Sequence, residues 1–380
     1  MTQTDVIVVG SGIIGSFAAL ALHERGHKVT VVDRGGLAPG TSRSSDGNLL
    51  CSDKSPGLML DLSNQSLNRW NAFAQRYGNE CEFDPKGASV VARTADEAQG
   101  LSELVAAQQA DGIDCRFLDA GWETLEPHLG PDTLAVGVWP NDAQVQPMLA
   151  CYQIAQILQN AGVEYRFYEH ITAIETNDQS VSVRLSGGER LDADFLSLCT
   201  GVWTNEVLAP LGLSVPVQPR KGHIAVLERG AVQVNSKIAD FSYQAAAEST
   251  EVKADSVQTA AIIEATRSGT ILCGSSREFA GFDTHVNMDT VQRLLADCIR
   301  IVPDLAQLRV IRAYAGLRPF SEDGLPIIGP LAAAPRIVVA TGHEGAGHGL
   351  AAISGDLVAD AIEEAGDESL LRALTPGRFQ

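Results

Sequence analysis

The sequence predicts an α/β protein: a doubly wound domain with parallel strands, interrupted along the chain by a second domain that mixes strands and helices. Three observations predict it. A strand, a glycine turn and a helix open the chain, a similar α/β pattern returns after residue 146, and the same strand, glycine turn and helix order closes it. The parts expected to form the doubly wound domain are 1–84, 145–214 and 318–380, with 85–144 and 215–317 forming the second domain.

The elements follow in order. Asp5–Val9 is an apolar, β-branched run suited to a strand buried on both faces. Ile13–Arg25, rich in Ala and Leu, reads as a helix that stops at Gly26. Lys28–Val32 is the next strand and ends at Asp33, and Gly35–Gly47 is a loop of Gly, Ser and Thr. Helices are expected at Met59–Tyr77, Ala95–Ala110 and Gln146–Asn160, with strands at Ser89–Ala92, Val163–Tyr168, Val181–Leu185 and Ala193–Leu198. Pro216–Ile311 mixes strands with a polar stretch, Ala245–Gln258, expected to be a loop or interaction surface. Arg336–Thr341, Gly342–Gly349 and Leu350–Glu364 then read as strand, turn and helix.

Composition narrows the function. With 28 Lys and Arg against 47 Asp and Glu, the net charge of −19 repels nucleic-acid phosphates and anionic membranes. The seven cysteines stand singly, without the spacing of a zinc or iron–sulfur site, and no metal is expected. Val6–Leu22 carries no charge, but Asp5 precedes it and Gly10, Gly12 and Gly15 break it, so neither a signal peptide nor a transmembrane segment is expected.

Gly10-Ser11-Gly12-Ile13-Ile14-Gly15 is a dinucleotide fingerprint in its required place, after a strand and opening a helix. Gly10 permits the tight turn, Gly12 lets backbone approach a pyrophosphate, and Gly15 lets helix pack on strand; the helix N-terminus offers N–H groups to phosphate. Asp33, at the end of the second strand, can accept from a ribose diol, which favours FAD or NAD over NADP. The hydroxyl-rich loop Gly40–Asn48 suits a second phosphate-facing turn, which an NAD dehydrogenase does not need.

At this loop the sequence resembles the FAD-dependent D-amino-acid oxidase superfamily. The likeness continues through Leu196–Trp203, Pro219–His223, Ala315–Phe320, Asp323–Pro330 and Ala340–Gly347. Within the superfamily, Gly274–Asp283 and the turn Gly342–Gly347 look most like the flavin subunits of bacterial opine (octopine, nopaline) and D-hydroxyproline dehydrogenases, with the flavin subunit of hydrogen cyanide synthase a near relative. The resemblance implies a discontinuous glutathione-reductase-like Rossmann FAD-binding domain and an antiparallel-sheet α+β substrate domain. It implies non-covalent FAD held by Gly10, Gly12, Ile13, Ile14, Gly15, Asp33, Arg34, Thr41, Ser42, Ser44, Ser45, Gly47, Asn48, Ile171, Thr200, Gly201, Trp203, Gly342, His343, Glu344, Gly345 and Gly347.

It further implies that Arg318 holds a substrate carboxylate, a task suited to a guanidinium's paired donors. His343 and Glu344 are the other catalytic candidates, in a turn facing the flavin's pyrimidine edge; a hydrogen-bonded turn histidine is the plainer alternative for His343. The implied reaction is oxidation of a secondary amine or amino acid to an imine, by hydride transfer to flavin N5. Glycine oxidases of the superfamily carry an arginine near the position of Gly345, and sarcosine oxidases a flavin-facing lysine where Leu272 aligns; this chain has neither. The implied enzyme is therefore a dehydrogenase subunit of a hetero-oligomer, with iron–sulfur in a partner and room for FMN at a subunit junction. The expected location is the cytoplasm, peripheral to the inner membrane through partners. A stand-alone oxygen-using oxidase and a non-catalytic FAD-holding subunit are the alternatives.

Overall fold

The computed structural model describes residues 5–243 and 257–379, so the polar stretch expected at Ala245–Gln258 lies outside the described residues except at its end. The strand Val6–Val9 is apolar at every position because both its faces are covered. Val6 and Val8 pack among the helices Ile13–Glu24 and Gly347–Glu363, while Ile7 and Val9 face Val181, Val183 and Leu185 of a three-stranded antiparallel sheet. The two helices pack closely over the sheet, since a Cβ on Gly355 would lie 2.5 Å from the Phe17 carbonyl oxygen.

The central sheet has six strands in the order Ile327–Leu331, Ala334–Thr341, Phe195–Leu198, Val6–Val9, Val29–Asp33 and Glu164–Phe167. All neighbours run parallel except the edge strand Ile327–Leu331. Its strands thus come from all three chain segments assigned to the doubly wound domain.

The second sheet has eight strands in the order Val310–Ser321, Val217–Leu227, Ile271–Arg277, Gln258–Ala265, Lys237–Asp240, Ala88–Ala92, Ala135–Trp139 and Arg116–Leu118. It is antiparallel except where Lys237–Asp240 runs parallel to Ala88–Ala92, so the sheet is mixed rather than purely antiparallel. Val291, Leu294, Cys298 and Ile301 of the helix Met288–Ile301 cover one face, packing with Ala225, Ile263, Ile271 and Cys273. The expected boundary at residue 318 falls inside the strand Val310–Ser321, which places Arg318 on this second sheet.

Local departures have identifiable causes. The strand expected at Ala193–Leu198 is two: Arg190–Ala193 closes the three-stranded sheet and Phe195–Leu198 enters the central one. Both Asp194 and Phe195 donate their N–H to the Asp5 carbonyl, which marks the change of sheet. Ile171–Thr176 is a further strand whose half-exposed, polar alternation hid it among loop residues. The last helix starts at Gly347, before Leu350, and its Gly349 lies against the Asn48–Leu50 backbone, where an added Cβ would be in ordinary contact.

All seven cysteines are free and buried. Among the described residues no helix is long and apolar enough to cross a membrane.

Candidate functional site

A cleft of about 870 Å³ runs from the carboxyl ends of Val6–Val9 and Val29–Asp33 to the strand Val310–Ser321. Ligands of doubly wound sheets bind at this strand end. Gly10, Gly12, Ile13 and Ile14 line it where the first helix begins. Gly10 has φ +104, and a Cβ there would stand 2.5 Å from the Cys199 carbonyl oxygen, so both conformation and space call for glycine. At Gly12 an added Cβ would meet Ser42 Oγ at 3.0 Å.

The hydroxyl loop folds back on this helix start. Thr41–Ser44 forms a short 3-10 turn; Ser42 Oγ accepts from the Ile13 N–H at 2.9 Å, and Thr41 Oγ1 donates to the Leu317 carbonyl at 2.6 Å. Asp33 is held in place, one carboxylate oxygen accepting from the Ser11 N–H at 2.7 Å and hydroxyl at 2.8 Å, the other from the Gly35 N–H at 2.9 Å. Arg34 stacks over Trp203, 4.6 Å from the ring centroid, and pairs with Glu206 at 3.1 Å. Thr41, Ser42, Ser44, Ser45, Asn48, Ile171, Thr200 and Gly201 line the same half, with Asp33, Arg34 and Trp203.

Three predicted contacts do not reach the cleft. Gly15 lies beneath it, where a Cβ would overlap the Gly10 carbonyl, so it serves helix-on-strand packing. Gly47 (φ +86) abuts the Val145 carbonyl, and Gly342 (φ +75) packs against Ile327 and Ser321. They shape the backbone of the two loops. The residues that do line this half fit a dinucleotide. A helix N-terminus with a glycine approach faces an oriented carboxylate, and Asn48 Oδ1 and His348 Nε2 are buried polar atoms with no protein partner.

At the other end Arg318 lines the cleft together with His343, Glu344, Gly345 and Gly347. Its side chain passes between Gly222 and Gly345: a Cβ on Gly222 would overlap its guanidinium, and one on Gly345 would lie 3.7 Å from its Cδ. Arg318 Nη1 donates to the Ser276 carbonyl at 2.8 Å, and among the described residues its guanidinium makes no other hydrogen bond. Glu344 lines the cleft as well; Arg220 Nε stands 2.6 Å from its Oε1, and its backbone adopts φ +47.

The Nε2 of His343 bonds to Ser354 Oγ at 2.9 Å, and burial pushes its pKa down to about 3, so the ring is neutral. His348, Nδ1 on Ser45 Oγ at 3.0 Å, is pushed down to about 4 by burial. Sequence reasoning missed Asp53, Lys54 and Tyr243, which line the substrate half. Burial opposes ionisation of Asp53 and Lys54, but their 2.5 Å contact outweighs it and keeps both charged. Only the adjacency of Asp53 and Lys54 in an otherwise apolar neighbourhood could have flagged them. Leu272 lines a separate cavity of about 640 Å³, which shares Ser44, Ser45 and Asp46 with the cleft, so it is not a residue of the cleft itself.

A model of the FAD dependent oxidoreductase (DAO) family matches residues 5–361. The chain is similar to glycine oxidase of Geobacillus kaustophilus, 28% identical over 367 residues covering 94% of this chain and 93% of that one. It is also similar to hydrogen cyanide synthase subunit HcnC of Pseudomonas aeruginosa, 27% identical across 99% of this chain and 96% of that one. Its fold matches the crystal structure of L-proline dehydrogenase from P. horikoshii with a TM-score of 0.89 at 19% identity, covering 99% and 98% of the two chains. With the fingerprint glycines, the oriented Asp33 and the arginine-lined far end in one cleft, the chain belongs to the DAO family of FAD-dependent oxidoreductases.

Proposed function

We propose that this chain is the catalytic, flavin-bearing subunit of a hetero-oligomeric dehydrogenase. It oxidises the C–N bond of a secondary amine or amino acid, of opine or proline type, to an imine that water hydrolyses. The observation that carries this is Arg318, anchored through one nitrogen on the Ser276 carbonyl and threaded between Gly222 and Gly345, with its remaining donors unclaimed among the described residues. A guanidinium so fixed orients a carboxylate and hence the neighbouring C–H and nitrogen. Bound FAD supplies the two-electron acceptor.

The protein's part is binding and orientation. His343 and His348 are neutral and bound to serines, and Asp53 is engaged by Lys54, so none is a free base at this end. An amine that binds unprotonated requires no protein base, and none is assigned. Support for the subunit role comes from the similarity to HcnC, named as a subunit, and from seven cysteines that are all singly buried. Electrons then leave through a partner's iron–sulfur centre, with FMN at the subunit junction, in a cytoplasmic complex peripheral to the inner membrane.

Similarity to glycine oxidases across 94% of the chain favours a second reading, a stand-alone oxidase. Rapid-mixing reoxidation separates them. Slow reoxidation in air with fast discharge to artificial acceptors supports the dehydrogenase, and full-rate turnover with oxygen yielding stoichiometric peroxide supports the oxidase.

A further inference from the structure

The reaction proposed above consumes a neutral amine, whereas a secondary amine near neutral pH carries an extra proton, with a pKa of about 10 like other alkylammonium groups. One proton therefore has to leave the cleft for each substrate oxidised. The histidines cannot take it, since burial holds His343 and His348 neutral down to about 3 and about 4. Of the carboxylates lining the cleft, Asp33 is engaged by Ser11 and Gly35, Asp53 by Lys54, Glu206 by Arg34 and Glu344 by Arg220. Glu169 accepts from the Ser186 hydroxyl and the Gly187 N–H. Asp46 lines the cleft too, and its carboxylate has no hydrogen bond or ion pair among the described residues.

Asp46 stands where the cleft meets the second cavity, lining both. Its loop reaches the substrate end: a Cβ on Gly316, two residues before Arg318 and on the same face of that strand, would lie 2.7 Å from Ser44 Cβ. Arg43, Arg267 and Arg312 on the wall of the second cavity are exposed, so that cavity meets solvent. Glu264 is fully buried between the two spaces. It is the cross-strand partner of Leu272, and its Oε1 accepts from Gln144 Nε2 at 2.7 Å; both neighbours line the second cavity. Its Oε2 has no hydrogen-bond partner among the described residues, and such an oxygen is less costly to bury in a neutral carboxyl than in a charged one.

The charges around Glu264 act in the same sense. Burial and the Asp46 carboxylate push it up to about 8, opposed by Lys86, Lys237 and the Asn48 amide. Lys86 donates to Gln144 Oε1 and to the Ala265 carbonyl; burial weakens its hold on its own proton, and Glu264, Asp84 and Glu126 oppose this. Tyr314, on the wall of the second cavity, is raised by burial and by Asp46 and Glu264. Two neighbouring carboxyls in such a setting hold one proton between them.

Resting on the amine-oxidising function above, we infer that Asp46 and Glu264 form a proton exit from the cleft: an N–H proton of the bound ammonium passes to Asp46, and a proton leaves from the carboxyl pair through the second cavity. The ammonium loses that one proton, the neutral amine gives its α-hydrogen with both C–H electrons to bound FAD, and the nitrogen lone pair closes the C=N bond. The pair again holds one proton. Glu264 is a positioning residue in this step, acting on the substrate only through Asp46.

Anaerobic flavin reduction by a carboxylate-bearing secondary amine, followed across pH in the FAD-loaded protein, tests the exit. Near neutral pH, Glu264→Gln is expected to slow reduction at saturating substrate at least about tenfold with the half-saturating concentration unchanged, and Asp46→Asn to do the same. Both deficits should close towards about pH 10, where the substrate arrives as free amine with no proton to shed. Infrared spectra of the same samples without substrate give an independent reading, a protonated-carboxyl band near neutral pH that Glu264→Gln removes. Parent rates in both variants, a deficit that does not vary with pH, or a carboxyl band unchanged in Glu264→Gln would each overturn the inference. Should Glu264→Gln fail to fold, Asp46→Asn, which alters a half-buried loop side chain, still decides. A parent protein whose flavin no amine reduces, with the band present and lost in Glu264→Gln, rejects the proposed reaction instead and retains Glu264 as the proton-holding group between the two cavities.

Discussion

Arg220 and Arg318 face each other across two neighbouring antiparallel strands, with Glu344 in contact with the first and the cleft in front of the second. Like charges directly opposite each other weaken a sheet. Here the two are divided between tasks: Arg220 is engaged by a carboxylate from the glycine turn, and Arg318 reaches between two glycines to the cleft. The turn thereby links the sheet bearing Arg318 to the helix Gly347–Glu363, which packs against the Rossmann half.

Arg318→Ala should raise the substrate concentration needed to reduce the flavin while leaving FAD content unchanged. Losing a charge-assisted pair costs about 1.5–3 kcal/mol, roughly ten- to hundredfold in affinity. A titration with unchanged half-saturation would remove Arg318 from substrate binding.

Gly12→Val should yield a folded protein depleted of FAD, since its side chain would start 3.0 Å from Ser42 Oγ and fill the approach to the helix N-terminus. The check is the flavin-to-protein absorbance ratio beside a melting curve, and stoichiometric FAD in the variant contradicts the site. Acid precipitation of the parent protein should leave the flavin in solution, as non-covalent binding requires.

Glu344→Gln takes the carboxylate away from a buried guanidinium, and breaking such a pair costs roughly 3–5 kcal/mol. The native Glu344 titrates below its unfolded value, so its stabilisation is present above about pH 4.3 and is lost as pH falls through the native value. Denaturant midpoints against pH should show this acid limb in the parent and lack it in the variant.

How much of this was readable from sequence varies with distance along the chain. Gly10, Gly12 and Asp33 sit within one βαβ unit, so local spacing reveals both fold and ligand end. Arg318 was found through its resemblance to a family segment; its spacing alone says nothing, because the Gly222 and Ser276 that shape it lie on two other strands. Tyr243 went unnoticed because its place in the cleft wall, stacked on Arg277, exists only once the second sheet assembles. The contact of Glu344 with the buried Arg220 comes from a strand more than a hundred residues away, so no local spacing signals it.

The neutral histidines give a pH signature in stability. His343 and His348, held at about 3 and about 4 by burial, bind protons less readily than in the unfolded chain, near 6.5. The unfolded state takes up more protons below that pH, so stability should fall from about pH 6.5 down to the native values. His343→Gln should flatten this decline; an unchanged slope would show that the ring is not buried in its neutral form.

The central claim, that this cleft oxidises amines on FAD, is tested most directly by mixing the purified yellow protein anaerobically with a panel of opines, prolines, hydroxyprolines, sarcosine and glycine. The absorbance of the oxidised flavin is followed with time. Rapid bleaching by a carboxylate-bearing secondary amine, weakened in Arg318→Ala, is the predicted result. A flavin that stays oxidised with every amine in the panel, in a protein that binds stoichiometric FAD, would contradict it.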